Sequence, residues 1–79
     1  MVTVRYFAGA AEIAGVGSEV LSAASVGELI AAVAAVHGPS LLGVMRQCSL
    51  LSAGVYLRDD STPLADGVTV DVLPPFAGG

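Results

Sequence analysis

The sequence predicts an α+β domain, a mixed sheet of four to five strands packed on one main helix. Three observations lead there. The first and last structured segments both alternate apolar and polar residues with period two. Between them lies one strongly signalled amphipathic helix. The remaining segments are short and punctuated by Gly, Pro and Asp, as expected of a domain of 79 residues that must build its core from few elements.

Val2, Val4 and Tyr6 alternate with Thr3, Arg5 and Phe7, a strand signal. Residues 8–15 favour a helical turn closed by Gly15 and Gly17, and Ser18 to Ser22 reads as a returning strand. Ser25-Val26-Gly27-Glu28 fits the capping box, in which serine and glutamate satisfy each other's free amides at a helix start. Val26, Leu29, Ile30, Val33 and Val36 then recur at helical spacing, and Gly38-Pro39 ends the run. Residues 40–47 suggest a short second helix, and Leu50 to Leu57 a single strand. Turns are expected at Asp59-Asp60-Ser61 and Asp66-Gly67. Val68, Val70 and Val72 then alternate in a closing strand, which can pair in parallel with the first. The chain divides into a folded domain over 1–73 and a flexible tail over 74–79.

Composition removes several function classes. Three arginines and no lysine stand against seven acids, for a net charge of −4. Phosphate backbones are held by clustered Lys and Arg, so no nucleic-acid partner is expected. With Cys48 the one cysteine, no internal disulfide can form, and the thiol reads as a small buried hydrophobe sooner than as a reactive or metal-binding group. No run reaches the roughly 18 apolar residues that cross a bilayer, and the opening segment lacks the pattern of a secretory signal. No membrane partner and a cytoplasmic location are the expectations. His37 and Cys48 are a weak dyad, and the imidazole at a helix C-terminus reads as structural. No metal set can be assembled from one His and one Cys. The glycines of "GVGSEV" do not complete a dinucleotide fingerprint, and a phosphate loop needs a lysine.

What remains is the ending, Val72-Leu73-Pro74-Pro75-Phe76-Ala77-Gly78-Gly79. A frayed end is one reading. At average glycine usage of about 7%, however, a terminal Gly-Gly pair arises in roughly 0.5% of chains, which disfavours chance. Pro74 and Pro75 fix φ near −65° and discourage helix, so the segment should leave the sheet extended. Gly78 and Gly79 have no side chain to obstruct a narrow channel. A stiff neck and a slim tip suit a carboxylate delivered into another protein's active site. That carboxylate, with a pKa of about 3.5, is ionised at neutral pH and must be activated, as an acyl-adenylate, before a nucleophile can attack it. A sulfur donor would give a thiocarboxylate, a lysine amine an isopeptide. Phe7 and Leu73 fall on the polar faces of their strands, each at the C-terminal end. They are either scattered surface residues or a small exposed patch beside the tail.

These residues resemble the MoaD/ThiS sulfur-carrier family, of ubiquitin-like β-grasp fold, and most of all its molybdopterin synthase small subunits. The likeness runs end to end: "VTVRYFAGAAEIAG" is similar to the opening strand and turn, "SVGELIAAVAAVHG" to the main helix, and "LADGVTVDVLPPFAGG" to the closing strand and tail. Ala11, before Glu12, stands where the family commonly has a basic residue. The resemblance implies adenylation of Gly79 by an E1-like adenylyltransferase that uses ATP, no cofactor being bound by the carrier itself. Sulfuration to a thiocarboxylate follows. The tail (Pro74, Pro75, Phe76, Gly78 and Gly79) would then enter the large subunit of molybdopterin synthase and give sulfur to cyclic pyranopterin monophosphate. It implies a non-catalytic subunit that acts as a sulfur-donating co-substrate, with Phe7 and Leu73 as apolar partner contacts. Carriers for cysteine or thiamin synthesis, a protein modifier that conjugates to lysines, and a plain binding module remain as alternatives.

Overall fold

β1 (Val2–Tyr6) and β5 (Thr69–Leu73) lie side by side in parallel, with Val4 beside Val70 and Tyr6 beside Val72. This pair is the centre of the computed structural model, which describes residues 1–75. β2 (Ser18–Leu21) returns antiparallel to β1, while β3 (Ser49–Ser52) runs antiparallel to β5 and pairs with β4 (Val55–Leu57). The five strands form one mixed sheet in the order β2-β1-β5-β3-β4. Helices α1 (Ala8–Ala14), α2 (Val26–His37) and α3 (Pro39–Met45) complete the described residues.

Period-two alternation decides which strand residues turn inward. Val2 and Val4 of β1 and Val70 and Val72 of β5 are fully buried, and they meet Leu29 and Val33 of α2 and Leu41 of α3. Burying each such side chain stabilises the fold by about 1.5–3 kcal/mol, the main favourable contribution open to so small a domain.

α2 begins as its capping pattern predicts. Ser25 is extended at the N-cap and its Oγ accepts from the Glu28 N–H at 3.2 Å. The reciprocal bond reaches one residue further back than the simplest box, Glu28 Oε1 accepting from the Ala24 N–H at 3.1 Å. Two more helix-start amides are satisfied by the loop before β5: Val26 N–H donates to Thr62 O at 3.0 Å and Gly27 N–H to Asp60 O at 2.8 Å. Gly27 suits that approach, since a Cβ there would sit 3.2 Å from the Asp60 carbonyl oxygen and the loop would have to give by a few tenths of an ångström. Asp59 Oδ1 accepts from both the Ser61 N–H and hydroxyl, which makes this stretch an Asx turn and lowers the Asp59 pKa. Gly38, at φ 86°, ends α2, and Pro39 opens α3.

One expectation is corrected. The run Leu50 to Leu57 is two strands, not one: Ser52 pairs with Val55 around a two-residue turn. Ala53 (φ 51°) and Gly54 (φ 79°) both adopt positive φ, as the tight turns that match strand twist demand. Phe7 also lies just beyond β1, at the N-cap of α1, though it keeps extended dihedrals.

Candidate functional site: the open sheet face and the exit of β5

The helices cover one face of the sheet and leave the other open. Arg5 and Asp71 are register partners on that open face. Arg5 Nε donates to Asp71 Oδ1 at 2.6 Å and Nη2 to Oδ2 at 2.9 Å, a two-point grip that lowers the Asp71 pKa and raises that of Arg5. The pair is exposed, so its contribution to stability is small. Its geometric effect is larger, because the Arg5 guanidinium also lies 5.7 Å from the Phe7 ring centroid and props the aromatic side chain.

The same alternation carries on to the strand ends. Phe7 N–H donates to Val72 O at 3.2 Å, so the parallel register continues one step beyond the Tyr6–Val72 pair. Phe7 is 36% exposed and Leu73 is half-buried, with Ser49 of β3 as its cross-strand partner. The structure thus brings both apolar residues to the end of the open face where β5 stops. Pro74, half-buried, and Pro75, exposed, follow directly. Phe76, Gly78 and Gly79 lie outside the described residues.

On the covered side is a polar cluster that sequence reading missed. Glu19 is the register partner of Val4 and therefore points inward. Its Oε2 accepts from the Tyr6 hydroxyl at 2.6 Å and meets His37 Nε2 at the end of α2, while the Tyr6 and His37 rings pack edge to face. Burial, then the bond to Glu19, push the Tyr6 phenol well above its usual range. Burial alone would raise Glu19, but the hydrogen bonds from Tyr6 and His37, and the charge of His37, bring it below the ordinary carboxylate value. The only advance signal was a glutamate at an inward strand position. The cluster is structural: it ties β1, β2 and α2 together.

Cys48 is half-buried, its Sγ donates to Val44 O at 3.1 Å, and burial pushes the thiol pKa up, away from a nucleophilic thiolate. Among the described residues no three of His, Cys, Asp and Glu gather as a metal site, and no helix is long and apolar enough to cross a membrane. Among the described residues no side-chain nucleophile on the open face is hydrogen-bonded to a base. What the face offers is an apolar end, steadied by Arg5 and Asp71, from which the chain departs through two prolines.

Comparison with known proteins places this geometry. The ThiS family model matches residues 4–79. The molybdopterin synthase sulfur carrier subunit of Chlamydomonas reinhardtii is 35% identical, over 99% of this chain and 98% of that protein. The complex of subunits 1 and 2 of the molybdopterin-converting factor from Helicobacter pylori 26695 contains a chain 26% identical, with a TM-score of 0.71 over 99% of this chain and 97% of that one. The Amycolatopsis orientalis BexX/CysO complex contains a chain that superposes with a TM-score of 0.84 over the whole of both chains, at 24% identity. The fold is the ubiquitin-like β-grasp fold.

Proposed function

This chain belongs to the MoaD/ThiS sulfur-carrier family, and we propose that it carries sulfur as a thiocarboxylate on Gly79 for molybdopterin synthesis. The observation that carries this reading is the extent of the family match, which runs through the Pro74-Pro75 neck to Gly78-Gly79. In this reading the chemistry lies in the main-chain carboxylate of Gly79 and not in a side chain. An E1-like adenylyltransferase joins that carboxylate to the AMP portion of ATP, with release of pyrophosphate. Sulfur at the hydrosulfide level then attacks the activated carbonyl, AMP leaves with the bonding pair, the S–H proton passes to solvent, and the thiocarboxylate remains.

The partner that takes the sulfur is the large subunit of molybdopterin synthase, and the acceptor is cyclic pyranopterin monophosphate. The identity to the Chlamydomonas reinhardtii carrier subunit and the likeness to a chain of the two-subunit Helicobacter pylori complex support this choice. Phe7 and Leu73 dock on the large subunit, and Pro74 and Pro75, whose rings fix φ, leave less conformational freedom to be lost when the chain enters.

Intact-mass measurement tests the proposal. The chain is incubated with an E1-like adenylyltransferase, ATP and a sulfur source, then with the large subunit and cyclic pyranopterin monophosphate. Exchange of one C-terminal oxygen for sulfur, followed by its loss as molybdopterin forms, is the expected result. Adducts on lysines of larger proteins would support a modifier instead. A thiocarboxylate that forms but never reaches the pterin would move the chain to another pathway.

A further inference from the structure

A second surface lies on the opposite side of the β3–β4 edge from Phe7 and Leu73, neither of which takes part in it. It is an open groove of about 1010 Å³ between α2, the end of α3 and the β3–β4 hairpin. Ile30, Ala34, Met45, Leu50 and Leu57 give it an apolar floor. Its volume is at the top of the range for small-ligand sites, yet it is a trough without a roof, and small ligands need most of their surface enclosed.

Two features of the rim say what it suits. First, Arg46 and Arg58, two of the three arginines in a chain of net charge −4, both border the groove. Arg5 is held by Asp71, but neither Arg46 nor Arg58 has a carboxylate partner among the described residues. With Asp60 also bordering the groove, the rim carries a net charge of +1 on an acidic molecule. Second, β4 is an edge strand. Because Ser52 and Val55 close a two-residue hairpin, hydrogen-bonded pairs alternate from there, and the N–H and C=O of Tyr56 point away from β3. Tyr56 is opposite Leu51, itself opposite Asp71, so its ring lies on the open side of this edge. The Arg58 guanidinium carbon, 5.8 Å from that ring centroid, therefore flanks the free backbone from the side away from Arg46.

We propose that the groove docks an extended segment of a partner protein, apolar at its centre and flanked by Asp or Glu. The segment's backbone meets Tyr56, its apolar side chains fill the floor, and its carboxylates meet Arg46 and Arg58. The surface shares no residue with the proposed tail chemistry, so its test is independent of that reading.

The test uses the ¹⁵N-labelled full chain and the capped peptide Glu-Asp-Val-Ile-Val-Leu-Asp-Glu, followed by amide shift mapping. Shifts at Ile30, Ala34, Tyr56 and Arg58, with Thr3 and Asp71 unmoved, are expected. The double variant Arg46→Gln, Arg58→Gln, checked for an unchanged free spectrum, should bind roughly tenfold more weakly. Four results would each overturn the proposal. They are unmoved groove amides at millimolar peptide, equal binding of a peptide with lysine in place of every acid, shifts centred on Phe7 and Leu73, and a response to decanoate but not to the peptide. Concentration-dependent movement of the same amides without any peptide would assign the groove to a second copy of the chain, and so would also defeat it.

Discussion

The Tyr6 hydroxyl donates a 2.6 Å hydrogen bond to Glu19, across the β1–β2 pair and inside the covered face. Tyr6 is 3% exposed, so loss of its acceptor cannot be made good by bulk water. Glu19→Ala would strand the hydroxyl and deprive His37 of its partner, at a cost of about 1–3 kcal/mol. Tyr6→Phe removes the donor along with its need and should cost about 1 kcal/mol. Urea unfolding of the two variants checks the order. A larger loss for Tyr6→Phe would contradict the assignment.

Acid should act through the same carboxylate. Glu19 has a folded pKa below its ordinary value, so its stabilisation is present above the unfolded carboxylate range of about 4 and disappears as pH falls through the folded value. Asp71, lowered by Arg5, adds in the same direction. Glu19→Gln cannot titrate, and its stability should therefore fall less steeply below about pH 4 than that of the unsubstituted chain. Parallel pH profiles of urea midpoints would exclude Glu19 as a contributor.

The β3–β4 turn is a place where the chain is less stable than it could be. Ala53 holds φ 51° with a Cβ that disfavours it. Ala53→Asn or Ala53→Gly should raise stability by about 0.5–1 kcal/mol, and Gly54→Ala should lower it by about 1 kcal/mol. Thermal unfolding gives the signs directly.

If the proposed complex with the large subunit of molybdopterin synthase forms through the open face, Phe7→Ala and Leu73→Ala should each weaken it about tenfold or more, as loss of an apolar anchor does. Phe7 is exposed, so its unfolding midpoint should change little, whereas half-buried Leu73 should lose some stability as well as affinity. Calorimetric titration beside a thermal melt separates contact from fold. Unchanged affinity in both variants would remove the patch from the interface.

Extension of the sequence by one alanine beyond Gly79 should abolish thiocarboxylate formation and leave the melting temperature unchanged. A second variant, Gly79→Ala, keeps the length and tests the need for a slim tip. Full sulfuration of the extended chain, seen by intact mass, would mean that the reactive group lies elsewhere.

What could be read in advance follows physical lines. Val2-Val4-Tyr6 and Val70-Val72 declare their faces because each strand has one covered side, and α2 declares itself through Ser25, Glu28 and Gly38. The β3–β4 hairpin was hidden because Leu50 to Leu57 is apolar almost throughout and Ala53 is not a residue that turns favour; only Gly54 hinted at a reversal. The Tyr6–Glu19–His37 cluster joins residues from three elements, and nothing local in sequence announces such a meeting. The groove likewise exists only once α2, α3 and the hairpin have assembled. The open-face position of Phe7 and Leu73 was legible: alternation put both on the polar faces, and the expected parallel pairing of β1 with β5, which the structure shows, brings them to one end.

That pairing has a mechanical side. β5 is clasped by neighbours on both flanks, β1 and β3, and it leads straight into Pro74. Tension applied there runs lengthwise along two ladders and must break many backbone bonds at once, where an edge strand could be unzipped bond by bond. A pull on the chain at Pro74 is therefore borne by both ladders together and leaves the anchoring domain intact.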